Sequence, residues 1–239
     1  MTPPPIPILL FSLLAFWLMY YADVVLVRDR LGSLRSWQEF AAATLWCTVQ
    51  NLLAVVAPWT FARHSGATLQ DLGLRMPDLA DPCYQLLLSW LFAAQLLKAF
   101  PDLKTGKDFL RDGGICTQIA WNASTLWKWF FAYCWVQQSA RQLGGPIAAL
   151  LMSTSFFTLF HVGTQDVAYL KRAWLVNAFF AVPFLFFGFC VIWPLAVGTG
   201  GAVGTTKSNR FFRWIHVRAQ LAGFLLAVAL GYAAELHLG

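Results

Sequence analysis

The sequence predicts an all-α fold, a polytopic transmembrane bundle of six to seven helical spans. Three observations predict it. Of the 239 residues, 59% are hydrophobic and 12% are charged, against about 25% charged in a soluble domain. The charges are bunched between long apolar runs. Most of those runs approach or exceed the roughly 20 residues that a helix needs to cross about 30 Å of hydrocarbon. Together they use nearly the whole chain, so residues 1–239 read as a single integral membrane domain with no sizeable aqueous one. The lipid bilayer is the first implied partner, and the expected location is a multi-pass position in a membrane.

The first run, Ile6 to Val27, follows Met1-Thr2-Pro3-Pro4-Pro5. It lacks a basic leader and is too long for a signal-peptide core, so it reads as a retained helix. A charged loop with Arg28, Asp29, Arg30 and Arg35 leads to the second span, Trp37 to Phe61. Arg63 to Asp81 is polar and holds Gly66, Gly73 and Pro77, the punctuation of a surface loop. A shorter third span runs from Tyr84 to Phe100, and Pro101 to Gly114 is the most polar stretch of the chain. Ile115 to Gln142 forms the fourth helix. Gly144-Gly145-Pro146 is a turn and a helix start, because proline suits the first helical turn. The fifth helix continues to about Val162, and the sixth lies within Ala173 to Val197. A glycine-rich loop, Gly198 to Gly204, and a basic segment with Lys207, Arg210, Arg213 and Arg218 precede the last helix, Ala219 to Leu236.

The net charge of +6 fits loop residues that set orientation and favour anionic headgroups. The basic residues form no continuous stripe, so a nucleic-acid partner is not expected. Alternating seven spans puts Arg28, Arg30, Arg35, Lys98, Lys104, Lys107, Arg111, Lys171 and Arg172 on one side. Arg63, Arg75, Arg141, Lys207, Arg210, Arg213 and Arg218 fall on the other. This near-even division leans towards a non-cytoplasmic N-terminus. Tryptophans and tyrosines flanking the spans, such as Trp37, Trp59 and Trp121, read as interfacial anchors. The five cysteines lack C-x-x-C spacing, which suggests neither a disulfide framework nor a metal site.

Two polar residues in apolar helices are candidates for chemistry. Lys128, in Trp127-Lys128-Trp129, sits near the middle of the fourth helix. A charge deep in a bilayer costs roughly 2.5–3.5 kcal/mol on insertion scales. Such a lysine either faces a polar interior or snorkels to an interface. His161 ends the fifth helix, with Thr154 and Thr158 on adjoining faces. An imidazole there can be a hydrogen-bonded structural residue, a general base, or a ligand to a pigment or metal. Asp166 follows closely and is placed to orient it. Gly198 to Ser208 departs from a phosphate-binding loop, since Lys207 is two residues late and no strand precedes it. Arg210 to Arg218 alternates cations with aromatics, as an interfacial anchor does.

The middle of the chain, about residues 60–200, resembles the CPBP (Abi) family of membrane proteins, named for CAAX processing and bacteriocin processing. Thr68-Leu-Gln-Asp-Leu-Gly-Leu-Arg75-Met-Pro77 is similar to the family's loop before the third helix. Gly144-Gly-Pro-Ile-Ala-Ala-Leu-Leu links two helices much as the family does, and Phe157 with His161 four residues later matches its second motif. Active members are intramembrane proteases whose first motif is a glutamate pair followed by an arginine. Counting back from Gly144 by the family's spacing gives Trp127 and Lys128 for the glutamates and Ala132 for the arginine. The only glutamates are Glu39 and Glu235, and the third motif, a histidine, is missing around Trp193-Pro194.

Peptide hydrolysis needs a carboxylate to activate water and a group to polarise the carbonyl. The resemblance therefore implies a non-proteolytic relative, acting as a subunit or assembly factor beside other membrane proteins. An alternative is an intramembrane enzyme with altered chemistry on a lipid-like or isoprenoid substrate, with Lys128, His161 and Asp166 lining its pocket. A second alternative is a pigment-binding or transport protein, with His161 as the ligand. The sequence names no cofactor.

Overall fold

The computed structural model describes residues 36–188, with short gaps at 69, 72, 75–77, 113 and 163–165, and residues 210–238, together with Leu14. The first apolar run, the glycine-rich loop and the region of Trp193-Pro194 lie outside the described residues. Every regular element among the described residues is helical. Four of these helices are long and apolar enough to cross a membrane: Trp37–Val56, Lys128–Leu159, Val167–Phe187 and Arg218–His237.

Helix α1 spans Trp37–Asn51 and passes through a π-helical turn, Leu52–Val56, into α2, Ala57–His64. Ser36 caps it by accepting from Glu39 N at 3.2 Å, the Ser-x-x-Glu arrangement that satisfies free amides at a helix start. Helix α3 spans Pro82–Ala99; Asp81 accepts from the amides of Cys83 and Tyr84, and Pro82 needs no donor in the first turn. The polar stretch that follows holds a further helix, α4 (Leu103–Arg111), capped by Asp102 on Thr105 N at 2.6 Å. The cap fixes its start, and helical spacing separates Leu103 and Leu110 from Lys104, Lys107 and Arg111.

Helix α5 (Gly114–Phe130), a second π-helical stretch (Phe131–Val136) and α6 (Gln137–Leu159) follow without interruption until Gly144 and Gly145. There the chain leaves helical geometry, and Gly145 takes φ +76°, a conformation open to glycine. The two limbs then fold back on each other. Gln137 meets Ser153, Tyr133 meets Phe157, and Phe131 meets Phe156. Each step down one limb is a step up the other, so they form an antiparallel hairpin centred on the two glycines. The expected turn is where the structure has it.

Helix α7 (Val167–Phe187) starts earlier than the expected sixth span and stops earlier. Asp166 caps its first turn through Tyr169 N at 2.6 Å, and Gly188, at φ +80°, ends it. It runs parallel to the first hairpin limb at a constant separation of 44 residues: Tyr133 to Asn177, Gln137 to Ala181, Arg141 to Leu185. Helix α3 runs antiparallel to α7, since Tyr84 stacks near Phe187 and Trp90 near Phe179.

Helix α8 (Arg210–Leu238) takes in the basic segment expected to be an anchor ahead of it. It packs parallel to α1 and α2. Trp59 Nε1 donates to Glu235 Oε1, 176 residues away, and Ala43 with Ala219 and Cys47 with Gly223 keep nearly that offset. Ala219, Gly223, Ala227 and Gly231 recur every fourth residue along the buried face of α8. Small side chains at that spacing let helix backbones approach closely without hydrophobic solvation to drive them.

Candidate functional site

The candidate site is built where the hairpin limbs and α7 meet. Trp129, Tyr133, Phe157, Phe180 and Phe184 are all buried. Trp129 lies 4.8 Å from the Phe157 ring, and Tyr133 stacks on Phe184 at 4.7 Å with planes 10° apart. Offset and tilted ring pairs such as these add about 0.5–1.5 kcal/mol each beyond the area they bury. The π-helical stretch sits in this cluster, and every side chain from Phe131 to Val136 is buried.

A ladder of buried polar contacts fixes the three segments in register. Gln137, wholly buried, donates through Nε2 to Ala181 O at 3.0 Å and to Ser153 Oγ at 3.4 Å. Asn177 donates to Thr158 Oγ1 at 3.0 Å, and that hydroxyl donates to Thr154 O at 2.8 Å. Tyr133 Oη donates to Asn177 O at 3.4 Å. Arg141 Nη1 donates to Leu185 O at 3.3 Å, where a cation satisfies a carbonyl in the last turn of α7. Asn177 and Ser153 were not singled out in the sequence; an asparagine inside an apolar span is the signal that marks the first.

Lys128 and His161 lie at one end of this cluster. Lys128 is half-buried, with Nζ 5.5 Å from the centre of the Phe160 ring, within cation–π range. His161 is half-buried in the turn beyond α6, 6.2 Å from the Phe157 ring and 5.8 Å from the Tyr169 ring. It lies past the end of the apolar stretch at Leu159. Burial lowers its pKa and the charge of Lys128 lowers it further, against backbone hydrogen bonds at Phe157 and Thr158 that raise it. The two residues are thus close enough to feel each other. Asp166, the third expected member, is exposed and its carboxylate caps α7. Its neighbour along the helix, Tyr169, is what reaches His161.

The 44-residue register, carried one turn beyond Tyr133, brings Lys128 level with Arg172, which is exposed beside exposed Lys171. Lys128 therefore stands at the depth of charged residues, where a long side chain can carry its ammonium to water. Among the described residues, no cluster of three or more His, Cys, Asp or Glu side chains is placed to hold a metal. Of the described glutamates, Glu39 is in the first turn of α1, and Glu235 pairs with Arg63 at 2.9 Å. The arrangement offers an imidazole and an ammonium at the rim of a filled aromatic core.

No family model, curated protein or solved structure matches the chain.

Proposed function

We propose that the chain is a multi-pass membrane protein with a CPBP-like middle, without proteolytic chemistry, that acts as a subunit or assembly factor of a membrane complex. The observation that carries this reading is the packing around Lys128 and His161. Trp129, Tyr133, Phe157 and Phe184 fill the interior beside them with rings. Hydrolysis needs room there for water and a carboxylate to activate it, and the position expected for the glutamate pair holds Trp127 and Lys128. A count of six to seven spans, beyond the four helices long and apolar enough to cross, belongs to the same proposal.

The test is purification of the native protein in mild detergent, with mass spectrometry of what accompanies it. A stoichiometric membrane partner is expected. A stable monomer that brings no other membrane protein refutes the proposal.

One observation favours a second reading, an intramembrane enzyme of altered chemistry on a lipid-like substrate. Burial and Lys128 favour the neutral imidazole at His161, the form that accepts a proton. Substituting Lys128 and His161 by alanine would abolish such an activity; an activity unchanged in both variants excludes these residues from it.

A further inference from the structure

The helix directions sort the basic side chains. The loop after α2 reaches the far end of the first hairpin limb, where a Cβ at Gly73 would lie 2.9 Å from Gln138. So α1–α2 and that limb run the same way, and so do α7 and α8, by their registers. The starts of α1, α5, α7 and α8 therefore share one end of the bundle. Among the described side chains, Lys104, Lys107, Arg111, Lys171, Arg172 and Arg218 lie towards that end, and Arg63 and Arg141 at the other. Simple alternation of spans puts Arg218 with Arg63 and Arg141. The parallel packing of α8 on α1 corrects this and turns a near-even division into a lopsided one.

Helix α4 lies at the same end. Phe109 anchors it, with its ring 5.2 Å from that of Phe100 and against Gly114, where a Cβ would come within 2.4 Å. Leu103 and Leu110 are 84% and 60% exposed and share a face by helical spacing. Lys104, Lys107 and Arg111 share the adjoining face, and Arg111 pairs with Asp108 and Asp112. Exposed leucines beside cations are the partition of a helix that lies flat in the headgroup region.

We propose that this end of the bundle is a contact surface for an anionic lipid leaflet, and hence the cytoplasmic end. Helix α4 lies in the headgroup plane, with Leu103 and Leu110 towards the acyl chains. Lys104 and Lys107 meet lipid phosphates, with Lys171, Arg172 and Arg218 around them. Basic residues near membrane surfaces favour the cytoplasmic leaflet through its anionic lipids. The proposal rests on membrane embedding and is independent of the subunit role.

The test labels the native full-length protein with a membrane-impermeant amine reagent in sealed vesicles of each orientation. Modified lysines are located by mass spectrometry. Lys104, Lys107 and Lys171 are expected to react in inside-out vesicles and to be protected in right-side-out ones. Reaction from the outside, or equally from both sides, overturns the orientation. Release of the protein from the vesicles by alkaline carbonate overturns the membrane reading itself, a result distinct from either labelling pattern. A second arm uses the protein reconstituted with α4 facing the medium. Lys104 and Lys107 are expected to react more slowly in phosphatidylglycerol-containing vesicles than in phosphatidylcholine vesicles, and free phosphate is expected not to protect them. Equal rates in the two vesicles, or protection by free phosphate, overturn the lipid contact.

Discussion

Gly223→Ala tests the seam between α1 and α8. A Cβ at Gly223 would lie 2.5 Å from Cys47 Cβ, 2.8 Å from Thr44 O and 2.9 Å from Thr48 N. Two of these are backbone atoms of the facing helix and cannot rotate away, so the helices must separate. Overpacking of a filled contact costs about 1–3 kcal/mol, and separation also loosens Ala219, Ala227 and Gly231. Alanine returns about 1 kcal/mol through its better helix propensity. Because two of the obstructing atoms are backbone, the cost falls in the upper part of that range, about 2–3 kcal/mol, and the net loss is about 1–2 kcal/mol. In a chain of this size 1 kcal/mol moves a thermal midpoint by about 2–4 °C, so a fall of roughly 2–8 °C is expected. Gly231→Ala is the internal control. Its Cβ would meet a side chain, Val56 Cγ1 at 2.7 Å, which can adjust, and the propensity gain roughly offsets the cost. Thermal unfolding of both variants in one detergent measures the difference. Adding Cys47→Gly to Gly223→Ala should recover only part of the loss, because Thr44 O and Thr48 N remain. A Gly223→Ala midpoint at or above that of the parent, or a larger fall for Gly231→Ala, refutes the reasoning.

Trp129→Ala removes the ring at the centre of the aromatic cluster and should cost about 3–5 kcal/mol, read as loss of the folded fraction in a denaturant series. Gln137→Leu keeps the volume but removes the donor to Ala181 O and Ser153 Oγ; each bond is worth about 0.5–1.5 kcal/mol net, and the midpoint should fall by a few degrees. Lys128→Met removes one of the two causes that lower the His161 pKa, so the imidazole titration followed by NMR should move upward. A midpoint that stays put shows that burial alone sets it. In the parent, folding favours neutral His161, so its contribution to stability is present above the ordinary histidine value of about 6.5. That contribution is lost as pH falls through the lowered one, and unfolding midpoints measured from pH 7 downward should fall less in His161→Gln.

Much of the helical framework was legible in the sequence. Apolar runs marked the four helices long and apolar enough to cross a membrane, and Gly144-Gly145-Pro146 marked the turn, since few residues other than glycine adopt the backbone found at Gly145. Short-range chemistry set several helix starts, through Ser36, Asp81, Asp102 and Asp166. The same chemistry shows why Asp166 looked like a partner of His161: an aspartate ahead of a helix serves as a cap equally well. Helix α4 was missed because Pro101 to Gly114 is polar in composition, although its nine residues separate Leu103 and Leu110 from Lys104, Lys107 and Arg111 by helical spacing.

The sequence by itself determined that this chain buries apolar helices and carries few charges, because those properties belong to residues counted along the chain. Only the tertiary structure decided which helices run parallel, what depth Lys128 occupies and which end holds Arg218. Those depend on registers between residues 44 and 176 positions apart. They are set by where small residues, buried amides and stacked rings fit together, and no local pattern encodes that fit.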